Sequence, residues 1–379
     1  MNKNILRILE VNKSYFPHTG GIETIVRQYS EEIGKTDGIQ LKTLVCRDNF
    51  GMTYHENING VNLTRSGSFG TFFSCPVSLS FIKIFRKMAE NADIVHIHMP
   101  FPLADIALMM SGYRKKVVIS WHSDIVRQKK LLIIYKPFLK YTLSRADCIL
   151  TATEGHIKGS EWLKDYSYKC KILPYGLNTE KYSDIKKMPY LTEKCTCKKS
   201  IKVFFSGRLV YYKGVETLIK AFCHVRGCEL FISGQGVLEK NLKEKVQRYG
   251  LEKTVHFLGF LPENQLKQAY ADCDIFVLPS TEKSEAFGIV QLEAMIYGKP
   301  VINTSLDSGV PYVSIHGKTG LTVKPENHRQ LAKAINYLAD NPDIREKFGE
   351  SAQKRVLTEF NEKDIIKRLY KIFKDEVRK

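Results

Sequence analysis

The sequence lacks any uninterrupted apolar run of the roughly 18–20 residues that a helix needs to cross a bilayer. Its first residues place Arg7 inside the apolar stretch and show no small-residue cleavage site, so we expect no secretory signal. The nine cysteines are an odd number, and no pair of them has zinc-binding spacing. These absences predict a cytosolic protein whose thiols are reduced.

Acidic residues are scarce relative to basic ones. The 379 residues include 58 Lys and Arg against 40 Asp and Glu, which gives a formal net charge of +18. Such a surplus attracts polyanions, but without zinc-finger spacing or an aromatic RNA-binding motif we expect no nucleic-acid partner. Basic and apolar residues alternate between 127 and 145, which indicates either a segment for an anionic membrane surface or a core-packed helix with a wet face. Its cations are Arg127, Lys129, Lys130, Lys136, Lys140 and Arg145.

Buried-strand patterns alternate with helical patterns along the whole chain, which predicts parallel sheets covered by helices on both faces. The length suits two domains at about 150 residues each. The polar, lysine-rich and aperiodic stretch 183–200 is typical of a linker. We therefore expect an α/β protein with two Rossmann-like, doubly wound domains at 1–185 and 200–358, facing a central cleft, and a helix at 359–379.

In the first predicted domain, two motifs lie where ligands of such sheets bind, beyond the carboxyl ends of strands. Gly20 and Gly21 open the first helix, where paired glycines let a bulky or phosphorylated ligand approach helix N–H groups, or simply form a turn. His122 closes the strand predicted at 117–121. It either faces the predicted cleft or is a structural histidine.

In the second predicted domain, a loop with two cations follows the strand at 201–205. Arg208 and Lys213, after Gly207, would clamp a diphosphate and neutralise the charge that it gains as a leaving group, or else they are two surface cations. Gly234 follows the next strand and fits either a nucleotide-facing turn or an ordinary βα turn.

The strongest local signal spans residues 284–295. Glu285 precedes a helix, and Glu293 lies about two turns inside it, so both are candidates to accept hydrogen bonds from sugar or ribose hydroxyls. Phe287, Gly288 and Ile289 stand at the start of that helix, where N–H groups receive phosphate oxygens. In the structural alternative, the two glutamates bind no ligand: one is a charge at the start of a helix and the other is a surface residue.

The segment Asp272-Cys273-Asp274 has the spacing of a divalent-metal motif. It precedes a strand, at the end of the sheet opposite the ligand side, so we predict no metal there. His96 and His98 alternate on one strand, and no third ligand stands near them in sequence to argue for a metal.

Taken together, these loops resemble the family 4 glycosyltransferases, retaining enzymes of the GT-B fold, over nearly the whole chain. The resemblance is carried by Gly20-Gly21-Ile22-Glu23, His122-Ser123-Asp124, Gly207-Arg208-Leu209 with Lys213-Gly214, Glu285 with Glu293 (the family's E-x7-E pattern), Asp307-Ser308-Gly309-Val310-Pro311, and Gly317-Lys318-Thr319-Gly320-Leu321.

The resemblance implies a role for each matched residue. Arg208 and Lys213 would hold the donor diphosphate, Glu285 the donor sugar and Glu293 the ribose. The remaining matched positions would line the ligands: Gly20 and Gly21 on the phosphate and acceptor side, His122 beside the transferred sugar, Gly207 at the donor, and Phe287, Gly288 and Ile289 through their N–H groups. Gly234, from its own loop motif, is also predicted to bind the donor. The catalytic set is then Arg208, Lys213, Glu285 and His122.

The implied reaction moves a hexose, with a mannose type favoured, from a nucleoside-diphosphate sugar without any metal or other cofactor. The implied acceptor is a polyprenyl-diphosphate-linked glycan or an oligosaccharide of bacterial surface polysaccharide. The enzyme would sit at the inner face of the cytoplasmic membrane, and its last helix would return to the first domain. The family often has Gly-Gly-x-x-Glu at the position where this chain has Ser308-Gly309-Val310-Pro311. This departure leaves the identity of the transferred sugar undetermined.

Two other functions share this architecture. A non-hydrolysing nucleotide-sugar 2-epimerase would bind the same donor and need no acceptor. A binding module would keep the site without activity, although an intact set of Arg208, Lys213, Glu285 and Glu293 disfavours it. A dehydrogenase is not expected, because neither half has the full glycine fingerprint with its ribose-binding acid.

Overall fold

A computed structural model describes residues 5–18, 20–72, 75–124, 129–183 and 188–379. The chain forms two compact units: unit 1 contains Met1–Pro174 together with Asp364–Lys379, and unit 2 contains Tyr175–Lys363. The predicted α/β class, with two Rossmann-like halves and a last helix that returns to the first of them, is confirmed. No helix within the described ranges is both long and apolar enough to cross a membrane.

Strands and helices alternate in the order expected of βα units. The strands are β1 (Leu6–Val11), β2 (Ile39–Cys46), β3 (Tyr54–Ile58), β4 (Val61–Ser66), β5 (Thr71–Phe72), β6 (Cys75–Pro76), β7 (Ile94–Met99), β8 (Lys116–Trp121), β9 (Cys148–Thr151), β10 (Cys170–Ile172), β11 (Ile201–Ser206), β12 (Cys228–Ser233), β13 (Val255–Gly259), β14 (Ile275–Val277), β15 (Val301–Thr304) and β16 (Gly320–Val323). The helices are α1 (Gly21–Gly34), α2 (Leu79–Ala89), α3 (Pro102–Ser111), α4 (Lys129–Arg145), α5 (Glu154–Gly159), α6 (Val215–Phe222), α7 (Glu239–Arg248), α8 (Glu263–Asp272), α9 (Val290–Met295), α10 (Val310–Val313), α11 (His328–Asp340), α12 (Pro342–Glu359) and α13 (Glu362–Arg378).

Unit 1 is built on an eight-stranded sheet in the order β10-β9-β8-β7-β1-β2-β4-β3. All neighbours pair in parallel except β3 and β4, which form an antiparallel edge. Every residue of β7 is buried, as expected for a central strand that helices cover on both faces. The carboxyl ends of β1, β7 and β8 therefore meet at one edge of this sheet.

The last helix completes the core of unit 1. Ile365, Leu369 and Phe373 recur at helical spacing and are buried. The ring of Phe373 lies edge-on to His96 of β7, with 5.2 Å between the ring centroids. Lys171 near the sheet edge also pairs with the buried Glu376 at 2.7 Å. The chain thus leaves unit 1 after β10 and returns to it with α13.

Unit 2 is built on a six-stranded, entirely parallel sheet in the order β13-β12-β11-β14-β15-β16. Its core is formed by apolar runs such as Val203–Phe205 on β11 and Ile275–Val277 on β14, all of them fully buried. Because the strands are parallel, the loops after β11, β12 and β14 emerge at the same edge.

The stretch predicted as a linker, 183–200, differs from the prediction where it is described: its described residues belong to unit 2. The N–H groups of Leu191 and Thr192 donate to the Asp272 carboxylate at 2.7 and 2.8 Å. The N–H groups of Thr196 and Cys197 donate to Glu229, each at 2.8 Å. Because these acceptors are distant in sequence, the hydrogen bonds that fix the conformation of the stretch leave no recognisable pattern within it. Residues 184–187 lie outside the described residues.

We predict that Phe373→Ala destabilises unit 1 by about 3–5 kcal/mol, because it removes a fully buried ring from a close-packed core. Both tryptophans, Trp121 and Trp162, lie in unit 1, so urea unfolding followed by tryptophan fluorescence reports on this unit. Val377→Ala on the same helix changes a side chain that is 42% exposed and serves as the control. Equal midpoints for the two variants would contradict the placement of α13.

Candidate functional site

In unit 2 a buried ion pair joins the loops after β11 and β14. Lys213 is 9% exposed and Glu285 is 8% exposed, and the lysine Nζ lies 2.6 Å from Oε2 of the carboxylate. Ser280 Oγ donates to the same oxygen at 3.1 Å. The loops are also joined through their backbones, because the N–H of Thr281 donates to the carbonyl of Tyr212 at 2.8 Å. The structure thus brings together two residues predicted as catalytic that are far apart in sequence.

The other predicted cation of this loop has a different environment. Arg208 is exposed, and its guanidinium donates to the hydroxyl of Tyr212 at 3.0 Å. The adjacent Gly207 lies beside Lys213, since a Cβ built on this glycine would stand 3.6 Å from the lysine Nζ. One cation of the predicted pair is therefore fixed against a carboxylate, and the other faces solvent in the same loop.

Two glycines of these loops are required by close backbone approach. A Cβ on Gly214 would lie 1.9 Å from the carbonyl oxygen of Pro279, so a larger residue would push Lys213 away from Glu285. A Cβ on Gly234 would lie 1.9 Å from the carbonyl oxygen of Gly207. Both glycines also have positive φ, which favours glycine. Gly234 therefore has a packing reason for its identity as well as the predicted donor-binding one.

Two buried side-chain amides hold the loop before α9 in place. Gln291 Nε2 donates to the carbonyl of Phe287 at 3.0 Å, and Asn303 Nδ2 donates to Gln291 Oε1 at 3.0 Å. The ring of Phe287 is buried and lies edge-on to Tyr175, with centroids 4.9 Å apart. Within the described ranges, the N–H groups of Phe287, Gly288 and Ile289 donate to no protein acceptor. The side chain of Phe287 thus packs in the core, and the groups that this loop can offer a ligand are its backbone N–H groups.

Glu293 is held between two tyrosines of unit 2. Tyr270 donates to its Oε2 at 2.7 Å and Tyr182 to its Oε1 at 3.2 Å. Burial raises the pKa of the Glu293 carboxyl above its ordinary value, although the hydrogen bonds from Tyr270 and Tyr182 lower it. Neither tyrosine was identified from the sequence, because each lies far from the motif.

The metal-type motif at 272–274 has structural partners. Asp272 accepts the N–H groups of Leu191 and Thr192, and Asp274 accepts the N–H of Lys202 at 2.7 Å. The Lys202 ammonium lies 3.7 Å from Asp272 and 3.3 Å from Asp274. These carboxylates anchor the segment before β11 and the start of β11 itself.

In unit 1, Gly20 and Gly21 stand at the start of α1, and both are exposed. Among the residues that the structure describes, a Cβ on Gly21 would meet no protein atom within 4 Å. A Cβ on Gly20 would meet, among the same residues, the movable carboxylate end of Glu23 and nothing else. Protein packing alone therefore does not require this glycine pair.

His122 is buried and belongs to a chain of hydrogen-bonded side chains on one face of the sheet of unit 1. Its Nε2 lies 2.8 Å from Nδ1 of His98, and Nε2 of His98 is hydrogen-bonded to Oε1 of Glu10. The other carboxylate oxygen of Glu10 lies 3.0 Å from Nδ1 of His96, whose Nε2 lies 2.8 Å from Ser120 Oγ. The sequence showed the alternation of His96 and His98, but not that Glu10 on a neighbouring strand joins them.

Burial and mutual contact set the protonation of this chain. Burial raises the pKa of Glu10, but the two adjacent histidines, His96 and His98, bring it down to about 2. Burial lowers the pKa of His98, and burial with the neighbouring His98 and His96 holds the pKa of His122 well below its ordinary value. At neutral pH Glu10 is therefore a carboxylate, and His98 and His122 are neutral imidazoles.

One group of metal-ligand type occurs within the described ranges: Glu10, His96 and His98, with ligand atoms within 4.8 Å of one another. In this group each imidazole nitrogen that faces Glu10 already has a carboxylate oxygen as its hydrogen-bond partner. Hydrogen bonding thus accounts for the arrangement.

The basic segment of unit 1 forms α4, and its described part has a mixed exposed face. Ile133 and Ile134 are 76% and 72% exposed, and Lys136 and Lys140 are exposed beside them. Leu139 is buried in the core. Of the predicted segment, Arg127 and the side chains of Lys129 and Lys130 lie outside the described residues. The described helix therefore combines a packed face with an apolar and basic surface.

Two family models match the chain. Residues 194–355 match the model described as glycosyl transferases group 1, and residues 19–181 match the model described as glycosyltransferase family 4. The first match includes every predicted site residue of unit 2, and the second includes Gly20, Gly21 and His122.

Two curated relatives match almost end to end. The D-rhamnosyltransferase WbpZ of Pseudomonas aeruginosa is 32% identical over 367 residues, which cover 92% of this chain and 91% of the relative. The O-antigen chain mannosyltransferase C of Escherichia coli is 28% identical over 355 residues, which cover 92% of this chain and 93% of the relative.

Similar solved structures share the fold of the whole chain. HepE of Anabaena, in complex with UDP, has a TM-score of 0.79 at 19% identity and covers 98% of this chain and 100% of its own. Sucrose-phosphate synthase of Thermosynechococcus elongatus has a TM-score of 0.78 at 19% identity and covers 98% of both chains. At this identity the likeness shows the fold, which is GT-B.

We predict that Lys213→Met or Glu285→Gln alone destabilises unit 2 by about 3–5 kcal/mol, because each leaves a buried polar group without its partner. The double variant should lose much less free energy of unfolding than the sum of the losses in the two single variants. Urea unfolding followed by circular dichroism should show the loss, while the tryptophan signal of unit 1 stays unchanged. The control is the surface pair Lys243–Glu239, whose nitrogen–oxygen distance is also 2.7 Å. Breaking this pair should lower the free energy of unfolding by less than about 1 kcal/mol. Additive losses at Lys213 and Glu285 would contradict the buried pair.

Proposed function

The chain belongs to the family 4 glycosyltransferases, and from this membership we propose that it transfers a hexose from a nucleoside-diphosphate sugar to a lipid-linked glycan of bacterial surface polysaccharide. The observation that carries the proposal is the buried Lys213–Glu285 pair, with Arg208 in the same loop. A cation fixed beside a carboxylate suits a donor whose diphosphate and sugar must both be held.

Departure of the nucleoside diphosphate places negative charge on its phosphate oxygens. In the proposed mechanism Lys213, held in place by Glu285, and the exposed Arg208 neutralise that charge as the sugar–phosphate bond breaks. The N–H groups of Phe287, Gly288 and Ile289 serve as further donors to the diphosphate. Catalysis then depends on charge neutralisation and orientation, with retention of the anomeric configuration as the family resemblance implies.

The carboxylates are proposed to bind hydroxyl groups. Glu293, whose two oxygens accept hydrogen bonds from Tyr270 and Tyr182, is proposed to accept further hydrogen bonds from ribose hydroxyls. Glu285 contacts the donor sugar through its remaining acceptor capacity, since Lys213 and Ser280 both engage Oε2. Complexes of similar structures with UDP and UDP-glucose support a nucleotide-sugar donor.

The names of the relatives support a mannose-type sugar. One is a D-rhamnosyltransferase and the other a mannosyltransferase of an O-antigen chain. D-rhamnose is 6-deoxy-D-mannose, so both relatives are named for sugars of manno configuration. We extend this configuration, and the place in O-antigen-type polysaccharide synthesis, to the present chain.

Unit 1 is proposed to bind the acceptor, with Gly20 and Gly21 lining it and His122 beside the transferred sugar. A polyprenyl-diphosphate-linked acceptor requires work at a membrane surface, and the apolar and basic face of α4 suits a peripheral location on the cytoplasmic side. No metal enters the proposed reaction, since Lys213 and Arg208 supply the positive charge.

A nucleotide-sugar 2-epimerase is the second candidate function, because it would use the same donor site. The two differ in what they require. An epimerase forms product from donor alone, whereas a transferase needs an acceptor. The near full-length match to two glycosyltransferases favours transfer.

The first experiment compares GDP-mannose, GDP-rhamnose, UDP-glucose, UDP-galactose and UDP-N-acetylglucosamine as donors, with and without a lipid-linked oligosaccharide, in the presence of EDTA. We expect acceptor-dependent transfer from one GDP-linked manno sugar. Lys213→Ala and Arg208→Ala should lower kcat about 100- to 1,000-fold, because each removes a charge from the leaving group.

Lys243→Ala is the matched control for Lys213→Ala, because it breaks a lysine–glutamate pair on the exposed surface. It should keep full activity. Wild-type turnover in Lys213→Ala would contradict the proposed role of the cation. Product from donor alone would establish the epimerase instead, and loss of activity in EDTA would contradict the metal-free reaction.

A second experiment tests the membrane surface with vesicles that contain phosphatidylglycerol. Sedimentation of the protein should fall strongly when Lys136→Glu and Lys140→Glu are combined, because each cation near an anionic surface contributes about 1 kcal/mol. Ile133→Ser with Ile134→Ser should weaken binding even at high salt. The control variant combines Lys243→Glu with Lys240→Glu, which change two exposed lysines of unit 2. Unchanged sedimentation of the α4 variants would contradict the proposed surface.

A further inference from the structure

The carboxylate of Glu293 receives a phenol hydroxyl on each of its two oxygens. Tyr270 belongs to α8 and donates to Oε2 at 2.7 Å. Tyr182 ends the short helical turn Thr179–Tyr182 and donates to Oε1 at 3.2 Å. A carboxylate offers about two acceptor positions on each oxygen, so each oxygen keeps capacity for one further hydrogen bond. Two such positions on adjacent oxygens match two hydroxyl groups on adjacent carbons of a sugar ring.

Core packing fixes where the two hydroxyl groups stand. The ring of Tyr270 is 1% exposed and lies edge-on to Phe204 of β11, with 5.2 Å between the centroids. It also packs against Phe276 of β14 at 5.5 Å. The ring of Tyr182 lies edge-on to Tyr297, with centroids 5.9 Å apart. Since both rings are held by neighbouring rings, their hydroxyl groups fix the orientation of the carboxylate between them.

The groups around Glu293 act on its charge in opposite directions. Burial raises the pKa of its carboxyl most, and the hydrogen bonds from Tyr270 and Tyr182 are the largest effects that lower it. Glu263 raises this pKa further and Lys267 lowers it. The Lys267 ammonium lies 2.7 Å from the Glu263 carboxylate, so the charges of these two residues oppose each other. The two tyrosines are therefore the main protein groups that favour the ionised form.

We propose that Tyr270 and Tyr182 are positioning residues for Glu293: their hydroxyl groups hold its carboxylate in the orientation in which its two oxygens accept the 2′- and 3′-hydroxyls of the donor's ribose. This inference rests on the proposed function, which assigns Glu293 to the ribose. In this role the tyrosines act through Glu293 and make the site prefer a ribonucleotide to a deoxyribonucleotide.

The alternative is that Glu293 only satisfies two buried hydroxyl groups. Tyr297 argues against it, because its hydroxyl oxygen is buried beside the same cluster and has no hydrogen-bond partner within the described ranges. Unit 2 therefore tolerates a tyrosine hydroxyl without an acceptor. Phenylalanine at positions 182 and 270 would fill nearly the same space without a carboxylate, whose burial is costly. The retained carboxylate with two hydroxyl donors favours a role in binding.

The first test measures the preference for ribose by calorimetry. GDP and UDP are each compared with the 2′-deoxy analogue, in the wild type and in Tyr270→Phe and Tyr182→Phe. For the nucleotide that binds, we expect the wild type to prefer the ribose form about tenfold, as for a hydrogen bond to a charged acceptor. Tyr270→Phe should reduce this ratio to less than about threefold. Tyr182→Phe should reduce it less, because its hydrogen bond is longer.

Tyr297→Phe is the matched control. It removes a hydroxyl from a ring that packs against Tyr182 but donates nothing to Glu293. Burial and the charge of Glu293 raise the pKa of Tyr297 to about 12, so this hydroxyl is neutral at pH 7. The control should keep the wild-type ratio. A wild-type ratio in Tyr270→Phe, or an equal reduction in Tyr297→Phe, would overturn the proposal.

The second test is kinetic and separates binding from structure. Tyr270→Phe should raise the KM for the donor about tenfold with kcat nearly unchanged, because the ribose is bound equally in the ground state and the transition state. Circular dichroism in urea checks that the variant is folded, and Tyr182→Phe, which changes a half-buried ring, gives a second variant. A fall in kcat at unchanged KM would mean that the tyrosines support the fold or the chemistry, and would overturn the proposal.

The third test reads the charge of Glu293 directly. Carbon-13 NMR of glutamate-labelled protein measures its pKa, and Glu293→Gln assigns its signal. Tyr270→Phe removes a donor to the ionised form, so the pKa of Glu293 should rise. Nucleotide affinity, which needs the ionised carboxylate, should then be lost at a higher pH than in the wild type as the pH falls. An unchanged Glu293 pKa in Tyr270→Phe would overturn the proposal.

Failure of this inference is distinguishable from failure of the proposed function. If the wild type binds neither nucleotide and transfers no sugar, the proposed function fails, and the Glu293 pKa in Tyr270→Phe still decides whether the tyrosines control its carboxylate. If the wild type transfers sugar but binds the ribose and deoxyribose forms equally, the function stands and the inference fails.

Discussion

Parallel strands deliver all of their carboxyl ends to one edge of a sheet, and the candidate site of each unit depends on this constraint. In unit 2 the loops after β11 and β14, strands that pair directly, place Lys213 against Glu285. In unit 1 the strands β1, β7 and β8 are neighbours, and they bring Glu10, His98 and His122 into one hydrogen-bonded chain. Residues separated by many tens of positions thus become neighbours through strand order alone.

Both clusters place charge where an apolar core would be more stable. A buried ion pair rarely gains more than its desolvation costs, and a buried carboxylate among imidazoles needs every hydrogen bond to be satisfied. Lys213 and Glu285 satisfy each other with the help of Ser280, and Glu10 receives two imidazole donors. Such arrangements persist where the charges serve chemistry, which agrees with membership in a family of glycosyltransferases and with the roles proposed here for Lys213 and Glu285.

The sequence predicted the strands that lie in the middle of each sheet, because central parallel strands are continuous apolar runs. It did not predict β3, whose residues are all exposed or half-buried at an antiparallel edge. It also suggested a linker at 183–200, where polarity reflects hydrogen bonds to Asp272 and Glu229 instead of exposure between units. Gly234 was predicted from its motif as a donor-binding residue, and the structure adds a second reason, its close approach to Gly207.

By itself the sequence determined the α/β class, the two halves and the family, because periodicity and motif order are local or linear properties. Only the tertiary structure decided which residues meet: that Lys213 is buried against Glu285 while Arg208 is exposed, that Tyr182 and Tyr270 hold Glu293, and that Glu10 joins His98. These contacts follow from strand order and loop conformation, and neither leaves a periodic signal along the chain.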